Sequence, residues 1–305
     1  MHFRRSSIVR RMATGLLALA LVIACRVAVQ ACTVFFAFDG QLAIAGLNED
    51  WDDANTQFWV VPSTAATYGV LYFGFGRGEY PKNGIAFSPR VQELLRGTSN
   101  QLDALTAEDL YGLPQQGINQ KGLFFGGAQT DAVEQASRPG RRSYEGAIVD
   151  LILRNCGTVA EALKTLETYE YVMPAGQLLF ADRSGDSFIL EAGHVITRKT
   201  GRHQVMTNFL QSREQDKKQT DRRYTLVDGR LRRGPRLSDA LAASLLDAAQ
   251  QPNTQYSLVF DLTRGAVIVY RDRRFDDAAE LNVQAELAKG PHAGQIRGLF
   301  SNGTR

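Results

Sequence analysis

The first 31 residues constrain the fold more than any other feature, because they have the composition of an export signal. Four arginines, at positions 4, 5, 10 and 11, precede an apolar stretch over residues 12–24. Val29-Gln30-Ala31 follows and places small or modest side chains where a signal peptidase reads them. The apolar stretch is shorter than the roughly 20 residues of a membrane-spanning helix. We therefore expect residues 1–31 to be removed as a signal peptide and residues 32–305 to form a single folded domain.

A second interpretation of the same segment ends it at Cys25. Val22-Ile23-Ala24-Cys25 resembles a lipoprotein box, which would acylate Cys25 and anchor the chain at a membrane. Both interpretations predict an exported protein, either periplasmic or secreted. They differ in the first residue of the mature chain, which is Cys32 in the first case and Cys25 in the second.

The composition excludes several functional classes. Charged residues make up 22% and hydrophobic residues 44% of the chain, as in a globular protein with a core. The 35 Lys and Arg against 32 Asp and Glu give a net charge of only +3, so we expect no nucleic-acid partner. The histidines are scattered, at His2, His194, His203 and His292, without metal-ligand spacing. We expect no metal and no cofactor, and the sequence leaves a homo-oligomer open.

Alternating apolar and polar residues predict that the folded chain begins with a β-hairpin. Two apolar runs, residues 32–38 and 41–47, flank the turn-forming pair Asp39-Gly40. Thr158 and Glu161 have the spacing of a capping box, which predicts that a helix begins at residue 159. The same patterns predict further strands at residues 58–61, 68–75 and 122–128, hairpins at 177–192 and 256–270, and helices at 144–155, 159–171 and 237–249.

This order of elements indicates an α+β protein with antiparallel sheets and segregated helices. Strands come first, two helices follow, and a further helix lies between the two later hairpins. The chain after Ala288 is rich in glycine and polar residues, and we expect it to fray. No internal repeat or long linker divides the chain after residue 31.

Cys32 is the residue whose chemistry would change most on processing. Cleavage before it would put a thiol and a free α-amine on one residue. An α-amine has a pKa of about 7.7–8.0 and can act as a base, and a thiol with a pKa of about 8.5 is a good nucleophile. This pairing is the one that N-terminal nucleophile hydrolases use. The alternative is that Cys32 is a small buried residue or forms a disulfide with Cys156.

Four short motifs together resemble the linear-amide C–N hydrolases. Cys32-Thr33 and the Gly-Leu-Asn-Glu-Asp stretch of residues 46–50 resemble the opening of that family. Residues 117–123, 205–208 and 222–224 resemble three later segments, in the same order. The family contains choloylglycine hydrolases and penicillin V acylases, and the isopenicillin N acyltransferases open similarly. The resemblance implies an αββα four-layer sandwich of the N-terminal nucleophile hydrolase type.

The resemblance also implies roles for particular residues. Asp50 would contact the N-terminal Cys32, and an amide N–H of Asn208 would stabilise the oxyanion. Arg223 would lie near the nucleophile, although the adjacent Arg222 matches the motif as well.

Two further positions are assigned by the same resemblance. The backbone N–H of Gln129 would be the second oxyanion donor. Asn119 lies in the turn of the second motif, where a structural role is favoured over a catalytic one.

One departure from the family pattern bears on the substrate. Leu47 stands where the family has an arginine, which leaves both bile salt and penicillin V specificity open. The pair Asp50-Trp51 is more similar to the acyltransferase relatives. Several aromatic residues could contact an acyl group or could form the core instead: Phe58, Trp59, Tyr72, Phe73 and Phe75.

The sequence therefore predicts an enzyme that hydrolyses a linear, non-peptide amide of a small N-acyl substrate. Cys32 would form an acyl-thioester that water then resolves. Two alternatives remain open, namely acyl transfer to an amine and a non-catalytic exported binding protein.

Overall fold

The computed structural model describes residues 32–82, 84–96, 106–133, 135, 137–173 and 176–300. These residues fall within one compact unit. The predicted signal peptide and the possible lipid anchor at Cys25 lie outside the described residues. Within the described ranges, no helix is both long and apolar enough to cross a membrane.

Strands dominate the part of the chain that the structure describes. The first eight are β1 (Thr33–Phe38), β2 (Ala43–Asp50), β3 (Thr56–Val61), β4 (Val70–Phe75), β5 (Pro114–Asn119), β6 (Phe124–Ala128), β7 (Arg142–Ser143) and β8 (Tyr169–Glu170). The others are β9 (Gln177–Ala181), β10 (Ser187–Glu191), β11 (Val195–Arg198), β12 (His203–Met206), β13 (Thr254–Asp261), β14 (Ala266–Arg271), β15 (Arg274–Asn282) and β16 (His292–Gln295).

Two large antiparallel sheets contain most of these strands. The six-stranded sheet has the order β12-β1-β2-β13-β14-β15. The eight-stranded sheet has the order β11-β10-β9-β6-β5-β4-β3-β16. The two short strands β7 and β8 pair with each other in parallel.

The helices lie outside the two sheets. They are α1 (Pro89–Arg96), α2 (Ile148–Asn155), α3 (Val159–Thr168), α4 (Lys217–Thr220), α5 (Arg222–Arg232), α6 (Asp239–Ala249) and α7 (Val283–Ala288), and short 3₁₀ turns span Ala107–Leu110 and Ile296–Phe300.

The alternation of side chains along β1 shows how the layers form. Val34 and Phe36 point into the core between the sheets, where Phe73 and Phe260 meet edge to face at 5.9 Å. Phe35 points the other way, into a cluster with α5 and α6. A third cluster joins the outer face of the eight-stranded sheet to α2 and α3. The predicted α+β class and αββα sandwich are confirmed.

Local sequence signals fix several element ends. Thr158 accepts a hydrogen bond from the backbone N–H of Glu161, whose carboxylate accepts one from the Thr158 N–H, so the predicted capping box is present. The helix predicted over 144–155 begins only at Ile148. The helix predicted over 159–171 ends at Thr168, because the chain there turns extended to form β8.

The prediction that the chain after Ala288 frays is wrong for residues 289–300. His292–Gln295 forms β16, which pairs with β3 at the edge of the eight-stranded sheet. Ile296 and Phe300 are buried in the core between the sheets. These two apolar side chains and the edge pairing hold the segment in place despite its polar, glycine-containing sequence.

Candidate active site

The site is built where β1 begins and β2 ends. Thr33 pairs with Asn48 across the two antiparallel strands, so the next position in register places Cys32 opposite Glu49. Cys32 is only 6% exposed, and it belongs to the core between the sheets. Both Cys32 and Cys156 are free thiols, so the disulfide considered as an alternative does not form.

Arg223 connects the site residues that the sequence predicted. It lies in the first turn of α5, whose N-cap Asp221 accepts a hydrogen bond from the backbone N–H of Tyr224. Its Nη1 donates to the Cys32 carbonyl at 2.8 Å and to Asn208 Oδ1 at 3.1 Å. The adjacent Arg222 is exposed and lies near the Ala248 carbonyl instead. Of the two arginines, only Arg223 reaches the candidate nucleophile.

Asp50 is a buried carboxyl group with an unused oxygen. It is 0% exposed, its Oδ1 accepts a short hydrogen bond from Thr254, and Arg223 Nη1 lies 3.9 Å from Oδ2. Oδ2 has no hydrogen-bond partner within the described part of the chain. Burial raises the pKa of Asp50 to about 7, although the hydrogen bond from Thr254 and the charge of Arg223 oppose the shift. A donor arriving at Oδ2 would satisfy a group that is otherwise costly to bury.

Asn208 lies just after β12 and is held in one orientation. Its Oδ1 accepts from Arg223, while its Nδ2 donates to the Gln129 carbonyl at 2.8 Å. Because an amide NH₂ has two hydrogens, one remains to point at a ligand. Gln129 is exposed and turns its carbonyl, not its N–H, toward Asn208.

Asn119 does not join this group. Its Nδ2 donates to the carbonyls of Leu153 and Cys156 at the end of α2, and its Oδ1 accepts from the backbone N–H groups of Lys121 and Leu123. All of these contacts hold the turn between β5 and β6 against α2. Asn119 therefore serves the fold.

Glu49 is a site residue that the sequence reasoning missed. It is buried, and the Cys32 thiol donates to its Oε1 at a sulfur–oxygen distance of 3.6 Å. A short hydrogen bond from Gln116 reaches its other oxygen, and Tyr256 donates to Gln116 Oε1 at 2.8 Å. The available signal was position, since Glu49 continues the inward-facing alternation of Ala45 and Leu47 along β2.

The surroundings of Cys32 hold its thiol in the protonated form. Burial raises the pKa of the Cys32 thiol well above its usual value, and the charges of Glu49 and Asp50 raise it further. The backbone N–H of Asp50 and the guanidinium of Arg223 act in the opposite direction. A nucleophile in this position needs a base close to the sulfur.

The aromatic residues considered for an acyl site are core residues. Phe58 and Phe73 are buried between the sheets, and Trp59 and Tyr72 are buried under α2 and α3. Phe75 is also buried and contacts Trp51 at a ring distance of 5.6 Å. Among the residues that the structure describes, no cluster of His, Cys, Asp and Glu could hold a metal ion.

The fold of this chain is that of N-terminal nucleophile amidases and acylases. The penicillin V acylase of Agrobacterium tumefaciens superposes with a TM-score of 0.60 at 17% identity, covering 84% of this chain and 88% of that one. A variant of the conjugated bile acid hydrolase of Clostridium perfringens superposes with a TM-score of 0.62 at 12% identity, covering 87% and 96%. The Caenorhabditis elegans ortholog of N-acylethanolamine-hydrolyzing acid amidase gives 0.50 at 16% identity, covering 76% and 93%.

These neighbours are amide hydrolases, and the resemblance predicted from the motifs is confirmed at the level of the fold. A scan against protein-family models finds no match, and neither does a search of curated proteins. At sequence identities of 12–17%, the likeness to these structures concerns the fold, and the chemistry of the site rests on its own residues.

Proposed function

We propose that this protein hydrolyses the linear amide bond of a small N-acyl substrate, with Cys32 as a processed N-terminal nucleophile. The observation that carries the proposal is the unused, buried Oδ2 of Asp50 beside the start of β1. Cys32 lies opposite Glu49 in the register of the two strands. Asp50 is the next residue along β2, on the side where the backbone nitrogen of Cys32 lies. An α-ammonium group formed there would supply the hydrogen-bond donor that Asp50 Oδ2 lacks.

The chemistry follows from the positions of these groups. The α-amine takes the proton of the Cys32 thiol, and Asp50 stabilises the resulting ammonium. The thiolate attacks the amide carbonyl, and the free hydrogen of Asn208 Nδ2 donates to the oxyanion. The ammonium then protonates the leaving amine, which departs as the acyl-thioester forms, and water releases the acid. Arg223 fixes the geometry by holding both the Cys32 carbonyl and the Asn208 amide oxygen.

Export belongs to the same proposal. Cleavage after Ala31 exposes the α-amine on which the mechanism depends, and it places the enzyme in the periplasm or outside the cell. If the chain were instead lipidated at Cys25 and left uncut after Ala31, Cys32 would stay internal and have no α-amine.

One buried position on β2 bears on the substrate class. Leu47 is buried on the inward face of β2 at the position where the family has an arginine, so this position offers no cation to a substrate. Suitable first probes are penicillin V, a conjugated bile acid and an N-acylethanolamine, the compounds named for the structural neighbours. An N-acyl homoserine lactone extends the panel to a further linear amide.

Substitution of the nucleophile tests the proposal. We expect Cys32→Ala to lose hydrolysis of every probe that the wild type cleaves, while it keeps the wild-type melting temperature. Cys156→Ala is the matched control, because Cys156 lies at the end of α2 and contacts Thr165 rather than the site. Hydrolysis by Cys32→Ala at the wild-type rate would overturn the proposal, and an acylated amine as the main product would favour acyl transfer.

A further inference from the structure

Glu49 has an unusual environment for a carboxyl group. It is 2% exposed, and in the part of the chain that the structure describes it forms no salt bridge. Its neighbours are the Cys32 thiol from β1, Gln116 from β5, Tyr256 from β13 and Asp50 on its own strand. A buried carboxylate without a cation is strongly disfavoured, so the neutral acid is the stable form.

The hydrogen bonds around Glu49 fix where its proton lies. Tyr256 donates its O–H to Gln116 Oε1, so the amide of Gln116 must turn its N–H toward Glu49. Glu49 Oε2 accepts that N–H and is therefore occupied. The proton of the neutral acid then belongs on Oε1, the oxygen that faces the sulfur at 3.6 Å.

The hydrogen bond between Oε1 and the sulfur must reverse its direction when the thiol ionises. In the resting site the hydroxyl oxygen Oε1 accepts a hydrogen bond from the thiol. Once the proton has moved to the α-amine, the sulfur can only accept. An O–H on Oε1 then stabilises the thiolate, whereas a carboxylate there would repel it.

We propose that Glu49 is an additional catalytic residue, which acts as a neutral acid by donating its Oε1 proton in a hydrogen bond to the Cys32 sulfur. Loss of that proton at alkaline pH switches the site off. This inference rests on the proposed role of Cys32 as the nucleophile.

The titration of the surrounding groups supports the same assignment. Burial, and secondly the charge of Asp50, raise the pKa of Glu49 to about 8, so it is mostly protonated at neutral pH. Burial raises the pKa of Tyr256 well above its usual value, so its O–H remains a donor through this range. The guanidinium of Arg223 contacts the Cys32 carbonyl and lies 3.9 Å from Asp50 Oδ2.

The test compares Glu49→Gln with Glu49→Met in the mature protein. Gln has the shape of the neutral acid and keeps a donor, whereas Met fills a similar volume without one. The first readout is the rate at which iodoacetamide alkylates Cys32 as a function of pH, followed on the Cys32 peptide by mass spectrometry. This readout needs no amide turnover, so it separates a failure of the Glu49 proposal from a failure of the proposed hydrolysis.

We expect the alkylation midpoint of Glu49→Gln to lie at least about one pH unit below that of the wild type, because the competing negative charge is gone. The midpoint of Glu49→Met should lie above that of Glu49→Gln, because Met offers no hydrogen bond. Identical midpoints in the wild type and Glu49→Gln would overturn the proposal.

The second readout is the pH dependence of kcat on a probe amide that the wild type cleaves. The wild-type rate should fall above a pH of about 8, and Glu49→Gln should keep its rate there. Gln116→Met is a second variant, which removes the N–H that lowers the pKa of Glu49 and should move the alkaline fall to higher pH. An unchanged alkaline fall in both variants would contradict the proposal.

Discussion

At the scale of single residues, one guanidinium group organises the site. Arg223 holds the Cys32 carbonyl and the Asn208 amide oxygen with the same nitrogen, so the nucleophile and the proposed oxyanion donor are fixed relative to each other. The amide nitrogen of Asn208 must then face away from Arg223, toward Gln129 and solvent. The oxygen of the Asn208 amide therefore fixes its orientation, and the nitrogen is the end that can donate to a ligand.

Removal of that amide should slow the reaction without changing the fold. Because an oxyanion donor acts mainly in the transition state, we expect Asn208→Ala to lower kcat by about 10²–10³-fold with little change in KM. Asn155→Ala is the control, since Asn155 is an exposed residue at the end of α2 whose side chain contacts the Leu151 carbonyl. A loss of only a few-fold for Asn208→Ala would show that Asn208 merely shapes the turn after β12.

At the scale of elements, the approach of β1 to β2 depends on Gly46. Phe35 pairs directly with Gly46, and a Cβ added there would lie 2.3 Å from Phe35 Cε1. Because the Phe35 ring is itself buried against α5 and α6, it has little room to move. Gly46 thus permits the close approach of β1 and β2, whose open end carries Cys32 and Asp50.

Gly46→Ala should therefore destabilise the protein, by about 1–3 kcal/mol of unfolding free energy, as for an overpacked core. Gly229→Ala is the matched control. Gly229 lies within α5, and an added Cβ there would meet no atom within 4 Å beyond its chain neighbours and the helix backbone, so alanine should raise stability by about 0.5–1 kcal/mol. Denaturant unfolding measures both changes, and an unchanged midpoint for Gly46→Ala would show that the Phe35 ring moves aside freely.

Elements with a strong local signal could be predicted from the sequence. The turn at Asp39-Gly40 is stabilised by hydrogen bonds from the backbone N–H groups of Gln41 and Leu42 to the Asp39 carboxylate, and the capping box at Thr158 begins α3. In contrast, the sequence analysis did not predict α5. The helix contains several arginines, and only two of its three buried residues, Val227 and Leu231, are apolar. The edge strand β15 alternates exposed with less exposed positions, but the less exposed ones mix Phe275 and Leu281 with Asp277, so its apolar pattern is weak.

The site could be predicted only in part, for a related reason. The motif resemblance proposed Cys32, Asp50, Asn208 and Arg223, and the structure brings these four together. The hydrogen bonds from Tyr256 to Gln116 and from Gln116 to Glu49 join three strands that are far apart in sequence. No local spacing relates these residues, so only the packing of the two sheets reveals that they meet.

At the scale of the whole molecule, the sandwich places the start of β1 inside its core. Cys32 is buried between the two sheets, next to two carboxyl groups that burial shifts toward the neutral form. This arrangement suppresses thiolate formation as long as no base is present. In the proposed mechanism, activity therefore depends on the one event that would create a base at Cys32, the removal of residues 1–31.

The intact mass of the active protein tests this claim most directly. The proposed mechanism requires a chain that begins at Cys32 with an unmodified α-amine, together with hydrolysis of at least one probe amide. A protein that hydrolyses the same amide while its mass shows a lipidated start at Cys25, or any residue still attached before Cys32, would contradict it.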